Sequence, residues 1–155
     1  MRLNVLWPGR TRNPEFRSLE EDYLGRIGRL APCRLIVTRE ARGIPESRPD
    51  RILKFEAEGL EKHIKDDYII CLIDKGREMN SRDFARFLQQ REASSGRPLA
   101  FIVGGFLGLA DSLLAKADLQ LSLSRMTFSH ELCRLVLLEQ IYRSLTILQG
   151  RSYAK

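Results

Sequence analysis

Leu99-Ala100-Phe101-Ile102-Val103-Gly104-Gly105-Phe106-Leu107-Gly108 is an apolar run that stops at glycines. Its first five residues show no alternation of apolar and polar, so neither face of this strand is left to water. A strand covered on both faces belongs to a parallel sheet held between helices. A second run, Tyr68-Ile69-Ile70-Cys71-Leu72-Ile73, has the same character and is broken by Asp74-Lys75-Gly76. Toward the amino terminus, Leu3, Val5 and Trp7 share one strand face and Pro8-Gly9 stops it. Asn13-Pro14 reads as an N-cap followed by proline in the first helical turn. Phe16, Leu19, Tyr23, Ile27 and Leu30 follow at helical spacing, and Pro32 ends the helix before the strand Cys33-Arg34-Leu35-Ile36-Val37-Thr38.

A polar loop with Gly43, Pro45 and Pro49 precedes a second helix, expected from about 49 to 65. Its Glu58/Lys62 and Glu61/Lys65 spacings suit a solvated face. Ser81 is placed to cap a third helix carrying Phe84, Phe87 and Leu88. A short helix near 111–117, a strand over 119–123 and a final helix from about Ser129 to Leu148 complete the chain. The order implies one α/β domain, 1–155, with a mainly parallel sheet flanked by helices. Ligands of such sheets sit beyond the carboxyl ends of the strands. That rule brings together residues 73–75, 104–108 and 123–129.

The chain has 155 residues, 43% hydrophobic and 30% charged, with a formal net charge of +6. The basic excess favours polyanionic partners, nucleic acid first. Cys33, Cys71 and Cys133 form no Cys-x-x-Cys pair, and His63 and His130 supply no zinc pattern, so no metal is expected. An odd number of cysteines in apolar runs suits a reducing cytoplasm. The opening residues are too short an apolar run for a signal-peptide core, and no run approaches a membrane span of ~20 residues.

Three elements carry candidate chemistry. The loop of Gly104, Gly105 and Gly108 permits close backbone approach, for a ligand or simply for a tight turn. It matches neither G-x-G-x-x-G nor a phosphate loop, which disfavours a dinucleotide-dependent oxidoreductase. His130 falls in the first turn of the last helix, where the macrodipole favours a neutral imidazole. Such a ring accepts a proton in catalysis or only braces the loop. The last helix is apolar around most of its circumference, which calls for a second cover such as a partner subunit. Arg134 shares the face of His130. Arg143 pairs with Glu139 or meets phosphate. The tail Ser152-Tyr153-Ala154-Lys155 offers stacking and charge to RNA, or only a frayed end.

Phe101-Ile102-Val103-Gly104-Gly105, Leu121-Ser122-Leu123-Ser124, Met126-Thr127-Phe128-Ser129-His130 and the segment from Leu132 through Glu139-Gln140-Ile141-Tyr142-Arg143 resemble the 23S ribosomal RNA pseudouridine N3-methyltransferases of the SPOUT superfamily. The resemblance runs the whole length and is most specific in the carboxyl-terminal third. It implies a trefoil knot in that third, a homodimer paired through it, and S-adenosylmethionine as cofactor. It implies cofactor contacts from Leu72, Gly104, Gly105, Leu123, Ser124, Arg125, Met126, Thr127 and Phe128. It implies a substrate side with His130, Arg143 and Tyr153 in catalysis and Arg134 and Lys155 on the RNA. The methyl acceptor it implies is N3 of a pseudouridine in 23S RNA within the ribosome. Two departures stand out. The family's terminal Pro-Tyr-His reads Ser152-Tyr153-Ala154 here, and Phe106-Leu107 replaces a common Pro-Glu. The first motivates an alternative, a SPOUT-fold RNA-binding protein with altered specificity or lost catalysis. On this reading leucine at Gly105 fills the loop and abolishes cofactor binding with the fold preserved.

Overall fold

Alternation along the first strand, β1 (Leu3–Pro8), sorts the core into two layers. Leu3, Val5 and Trp7 point to one side and Leu6 to the other, and all four are buried. The structure, a computed structural model describing residues 1–154, is a five-stranded parallel sheet of order β2-β1-β4-β3-β5. The other strands are β2 (Cys33–Thr38), β3 (Tyr68–Glu78), β4 (Leu99–Ile102) and β5 (Leu119–Ser122). Helices α1 (Pro14–Gly28), α3 (Ser81–Ser95) and α5 (His130–Leu148) cover the Trp7 face, where Phe84, Phe101 and Ile141 meet. Helices α2 (Pro49–Glu61) and α4 (Asp111–Leu114) cover the other face, where Leu60, Cys71, Ile102 and Leu113 pack. β4 lies in the middle with all four residues buried, as an unbroken apolar run requires.

Caps set the helix starts. The Asn13 side chain accepts from the N–H of Glu15 and Phe16 at 3.0 and 3.1 Å. The cap of α3 is Asn80, not Ser81: Asn80 Oδ1 accepts the Asp83 N–H at 2.8 Å, and Ser81 is already helical. Helix α2 ends at Glu61, short of the expected 65, because the chain must turn to enter β3. Glu61 then pairs with Lys116 of the α4 side at 2.9 Å, not with Lys65.

The break expected at Asp74-Lys75-Gly76 is a bulge inside a longer strand. Leu72 and Arg77 both lie opposite Leu121, so the residues between them loop outward from the ladder. Gly76 is needed there, because a Cβ would lie 2.7 Å from the Gln120 carbonyl. The bulge lifts Ile73 and Asp74 to the end of the sheet where the glycine loop after β4 also emerges.

Candidate active site

Three strand-end segments and the start of α5 enclose a cavity of about 560 Å³. That lies within the roughly 300–1,000 Å³ of small-molecule clefts. From β3 come Leu72, Ile73 and Asp74; from the β4 loop, Val103 to Gly108 in sequence; from the segment after β5, Leu123, Ser124 and residues 126–128. Ser129, His130 and Cys133 close it at the helix.

The glycine loop turns back on itself. The Gly108 N–H donates to the Gly105 carbonyl at 3.0 Å, and Gly108 takes φ +81°. Gly104 sits at the crossing: a Cβ there would overlap the Gly108 carbonyl. The segment after β5 is tied to the β3 bulge. Ser122 Oγ lies 2.9 Å from the carbonyl oxygens of both Asp74 and Ser124. The Met126 N–H donates to Ser124 Oγ at 3.0 Å, and Thr127 Oγ1 lies 3.4 Å from Asp74 Oδ2. Met126 itself is 78% exposed at the rim.

The lining is mostly apolar and backbone. Among the described residues it carries one carboxylate, Asp74, one imidazole, His130, and no lysine or arginine. A polyphosphate would find no countercharge in it, whereas a cationic centre would meet Asp74. Cys133 is wall, not nucleophile, because burial pushes its thiol up to about 11.

The order of the chain around this cavity agrees with a family model described as Predicted SPOUT methyltransferase, which matches residues 1–154. The chain belongs to the SPOUT methyltransferase family. It is 40% identical to the Ribosomal RNA large subunit methyltransferase H of Geotalea daltonii over 99% of each chain. It is 37% identical to the protein of that name from Alkaliphilus oremlandii over 100% of each. The solved structure of a probable methyltransferase from Bordetella pertussis Tohama I superposes with a TM-score of 0.59, covering 93% of this chain and 96% of that one. At 11% identity that likeness is one of fold.

In this SPOUT methyltransferase the expected cofactor residues gather with one exception. Arg125 does not line the cavity; its guanidinium points out to Glu78 at 3.0 Å. The Gly105 Cβ position faces Glu56 Oε2 at 3.0 Å and Pro8 Cγ at 3.5 Å. Leucine there presses first on the buried Glu56 carboxylate. Val103 and Cys133 also line the cavity, beyond the expected residues; Cys133 lies three residues past His130 on the same helical face.

Arg134 departs most from expectation. It is 1% exposed, and no phosphate reaches it. Its guanidinium donates to the Pro8 carbonyl at 2.8 Å, the Gly9 carbonyl at 3.2 Å and Thr11 Oγ1 at 3.1 Å, and lies 5.0 Å from the centre of the Trp7 ring. Thr11 in turn donates to the buried Glu20 at 2.6 Å. Beside it, Glu131 accepts the Arg12 and Asn13 N–H groups at 2.6 and 3.2 Å. Together these contacts clamp the start of α5 onto the turn between β1 and α1, and so position His130.

Burial, and then the Arg134 charge, hold the His130 imidazolium below its ordinary value of 6.5. The ring is therefore neutral at pH 7. Because the fold disfavours the protonated ring, its contribution to stability is full above pH 6.5 and falls away as pH drops through the folded value. In a proton NMR titration the His130 ring midpoint is expected below 6.5; a midpoint above it refutes the assignment.

Arg143 and Tyr153 form a second cluster. Arg143 donates to Glu139 Oε1 at 2.9 and 2.7 Å and stands 5.1 Å from the centre of the Tyr153 ring. The Tyr153 hydroxyl lies 3.3 Å from Glu139 and 3.4 Å from the Tyr23 hydroxyl. Burial, the Tyr23 contact and the Glu139 carboxylate all push the Tyr153 phenol up, so it donates and does not act as a base. Lys155 lies outside the described residues.

Proposed function

We propose that this protein transfers a methyl group from S-adenosylmethionine to N3 of a pseudouridine in the large-subunit ribosomal RNA. The observation that carries this reading is the cavity, closed by a glycine turn, lined by no arginine or lysine among the described residues, and bearing Asp74 where a cation can sit. Full-length kinship to proteins named for large-subunit ribosomal RNA methylation supports the acceptor. The cofactor supplies an electrophilic sulfonium methyl for in-line attack. The backbone of the Gly104 loop and of the segment from Leu123 to Phe128 holds the ligand, and Asp74 offsets its positive charge. His130, neutral and at the cavity edge, accepts the proton that N3 must lose.

Within one chain His130 and Arg143 cannot serve the same acceptor. They stand 13 positions apart on α5, about 20 Å along the axis at 1.5 Å per residue. If both act, one subunit's His130 works beside its partner's Arg143 and Tyr153. This is one support for a homodimer. The half-buried Leu135, Val136, Ile147 and Leu148 of α5, which want a second cover, are another. A trefoil-knotted carboxyl-terminal third, 23S RNA within the ribosome as substrate and a cytoplasmic setting complete the reading.

Isotopically labelled methyl transfer to ribosomes from cells lacking the modification, with mapping of the product base, tests it. Label at N3 of a pseudouridine is expected. Cofactor binding without transfer to any ribosomal substrate would instead favour an RNA-binding protein that keeps the fold. Arg143→Ala is expected to raise the ribosome KM about tenfold, the loss of one charged hydrogen bond, while cofactor affinity stays constant. Equal loss of both assigns Arg143 to structure.

A further inference from the structure

A second cleft opens at the carboxyl ends of β1 and β2, beside the cavity. Among the described residues its walls carry Arg10, Arg12, Arg17, Arg39 and Arg42, opposed by a single carboxylate, Glu40. Glu40 accepts Arg12 at 2.8 Å and approaches Arg42 at 3.5 Å, which leaves Arg10, Arg17 and Arg39 without a carboxylate partner among the described residues. The floor is built tightly. Gly9 takes φ +74°, and a Cβ there would come within 2.8 Å of Glu40 Oε2, so the arginine-bearing loop after β2 rests directly on the turn after β1. Phe55, 42% exposed, lines the same cleft and offers a flat apolar face.

The cleft joins the cavity. The Arg12 N–H is held by Glu131, the neighbour of His130, at 2.6 Å. Gly105 lines the cavity while its Cβ position faces Pro8, the residue before the cleft floor. Among the described residues the cavity has no lysine or arginine and the cleft has five arginines, so a polyanion reaching His130 from this side is gripped outside the cavity and not in it.

We propose that this cleft is the groove in which the RNA substrate is held. Arg10, Arg17 and Arg39 contact successive phosphates, and an unstacked base rests on Phe55. Guanidinium forks match phosphate, and aromatic faces stack bases without reading their identity. The chemistry fits a single-stranded or looped segment, the form in which a base is free to leave its stack and enter the cavity. The inference rests on the RNA-methylation reading and adds where the strand lies.

The test uses the full chain, wild type and the triple variant Arg10→Ala, Arg17→Ala, Arg39→Ala, with Phe55→Ala and Phe55→Trp beside them. All four positions are exposed, so cooperative melts and S-adenosylmethionine affinity are expected to persist. The first arm measures binding of single-stranded oligouridine RNA against salt. Three lost phosphate contacts at about 0.7 each flatten the log–log slope by about 2 and weaken low-salt binding about tenfold or more. Phe55→Ala weakens binding further and Phe55→Trp restores it. The second arm measures the KM of ribosomes in methyl transfer, which rises in the triple variant with kcat nearly constant. An unchanged salt slope overturns the proposal. So does a raised ribosome KM with unchanged RNA binding, which would assign the cleft to a ribosomal protein. A wild-type protein that methylates no ribosome refutes the proposed function, and the first arm still decides the cleft.

Discussion

Gly104→Ala is expected to abolish S-adenosylmethionine binding while leaving a folded protein. The added methyl overlaps the Gly108 carbonyl, which is backbone and cannot rotate aside. Either the turn over Gly105 and Gly108 opens and loses its hydrogen bond, or the β4 end shifts. Both displace the backbone groups that wall the cavity. Two or three ligand hydrogen bonds at about 1–1.5 kcal/mol each amount to roughly 3 kcal/mol, over a hundredfold in Kd. The turn lies beyond the sheet ladder, so far-UV dichroism and a cooperative melt are expected to persist. Gly105→Ala is the control. Its Cβ first meets side chains, the Glu56 carboxylate at 3.0 Å and the Pro8 ring at 3.5 Å, and not backbone, so a change of no more than a few-fold is expected. Isothermal calorimetry on both variants decides the matter. Equal affinity of Gly104→Ala and wild type removes the glycine turn from the binding site.

The contrast between these neighbouring glycines shows what sequence reading reaches. A run of glycines after a buried strand marks a place of close approach, and period and strand order locate that place beside two other strand ends. Neither says which glycine faces which neighbour. That depends on the φ of Gly108 and on where α2 puts Glu56, a contact between residues some fifty positions apart. The strand assignments were legible for the same reason that the layers are. Leu3, Val5 and Trp7 repeat at two, and the β4 and β3 runs are apolar throughout. The β3 bulge was not. Asp74-Lys75-Gly76 is polar and breaks the run, and only pairing with Leu121 on both sides of it shows that the strand resumes. The cap of α3 was misplaced by one residue: Ser81 was expected there, and it is the Asn80 carboxamide before it that reaches Asp83.

The residues around α5 divide along the same line. Helical spacing put His130 and Arg134 on one face, and the face is real. What that face meets is set by the chain between β1 and α1, more than a hundred residues earlier. A positively charged side chain near a presumed RNA site reads as a phosphate ligand until the carbonyls of Pro8 and Gly9 are seen to occupy it. Arg143 kept its reading as a Glu139 partner because that pair is local, four residues apart on one helix.

Arg134→Ala is therefore expected to act on the fold and on His130 together, and not on RNA contact. Truncation leaves the Pro8 and Gly9 carbonyls and the Thr11 hydroxyl without their donor in a site that water does not reach. It also strips the buried Glu20 of the cation it faces through Thr11. Breaking a buried charged network of this kind costs about 3–5 kcal/mol. Urea unfolding is expected to show a lower midpoint with an unchanged slope. Arg134→Lys is expected to recover little of it, because one ammonium cannot span two carbonyls and a hydroxyl arranged as a fork. A positioning role predicts a second readout. Arg134 is among the charges that disfavour a protonated His130, so in the surviving folded Lys variant the ring titrates nearer that of wild type than in the Ala variant, where its midpoint rises. If Arg134→Ala unfolds in urea like the wild type, the buried fork carries no stability, and the clamp that sets His130 at the cavity edge must be sought in Glu131 alone.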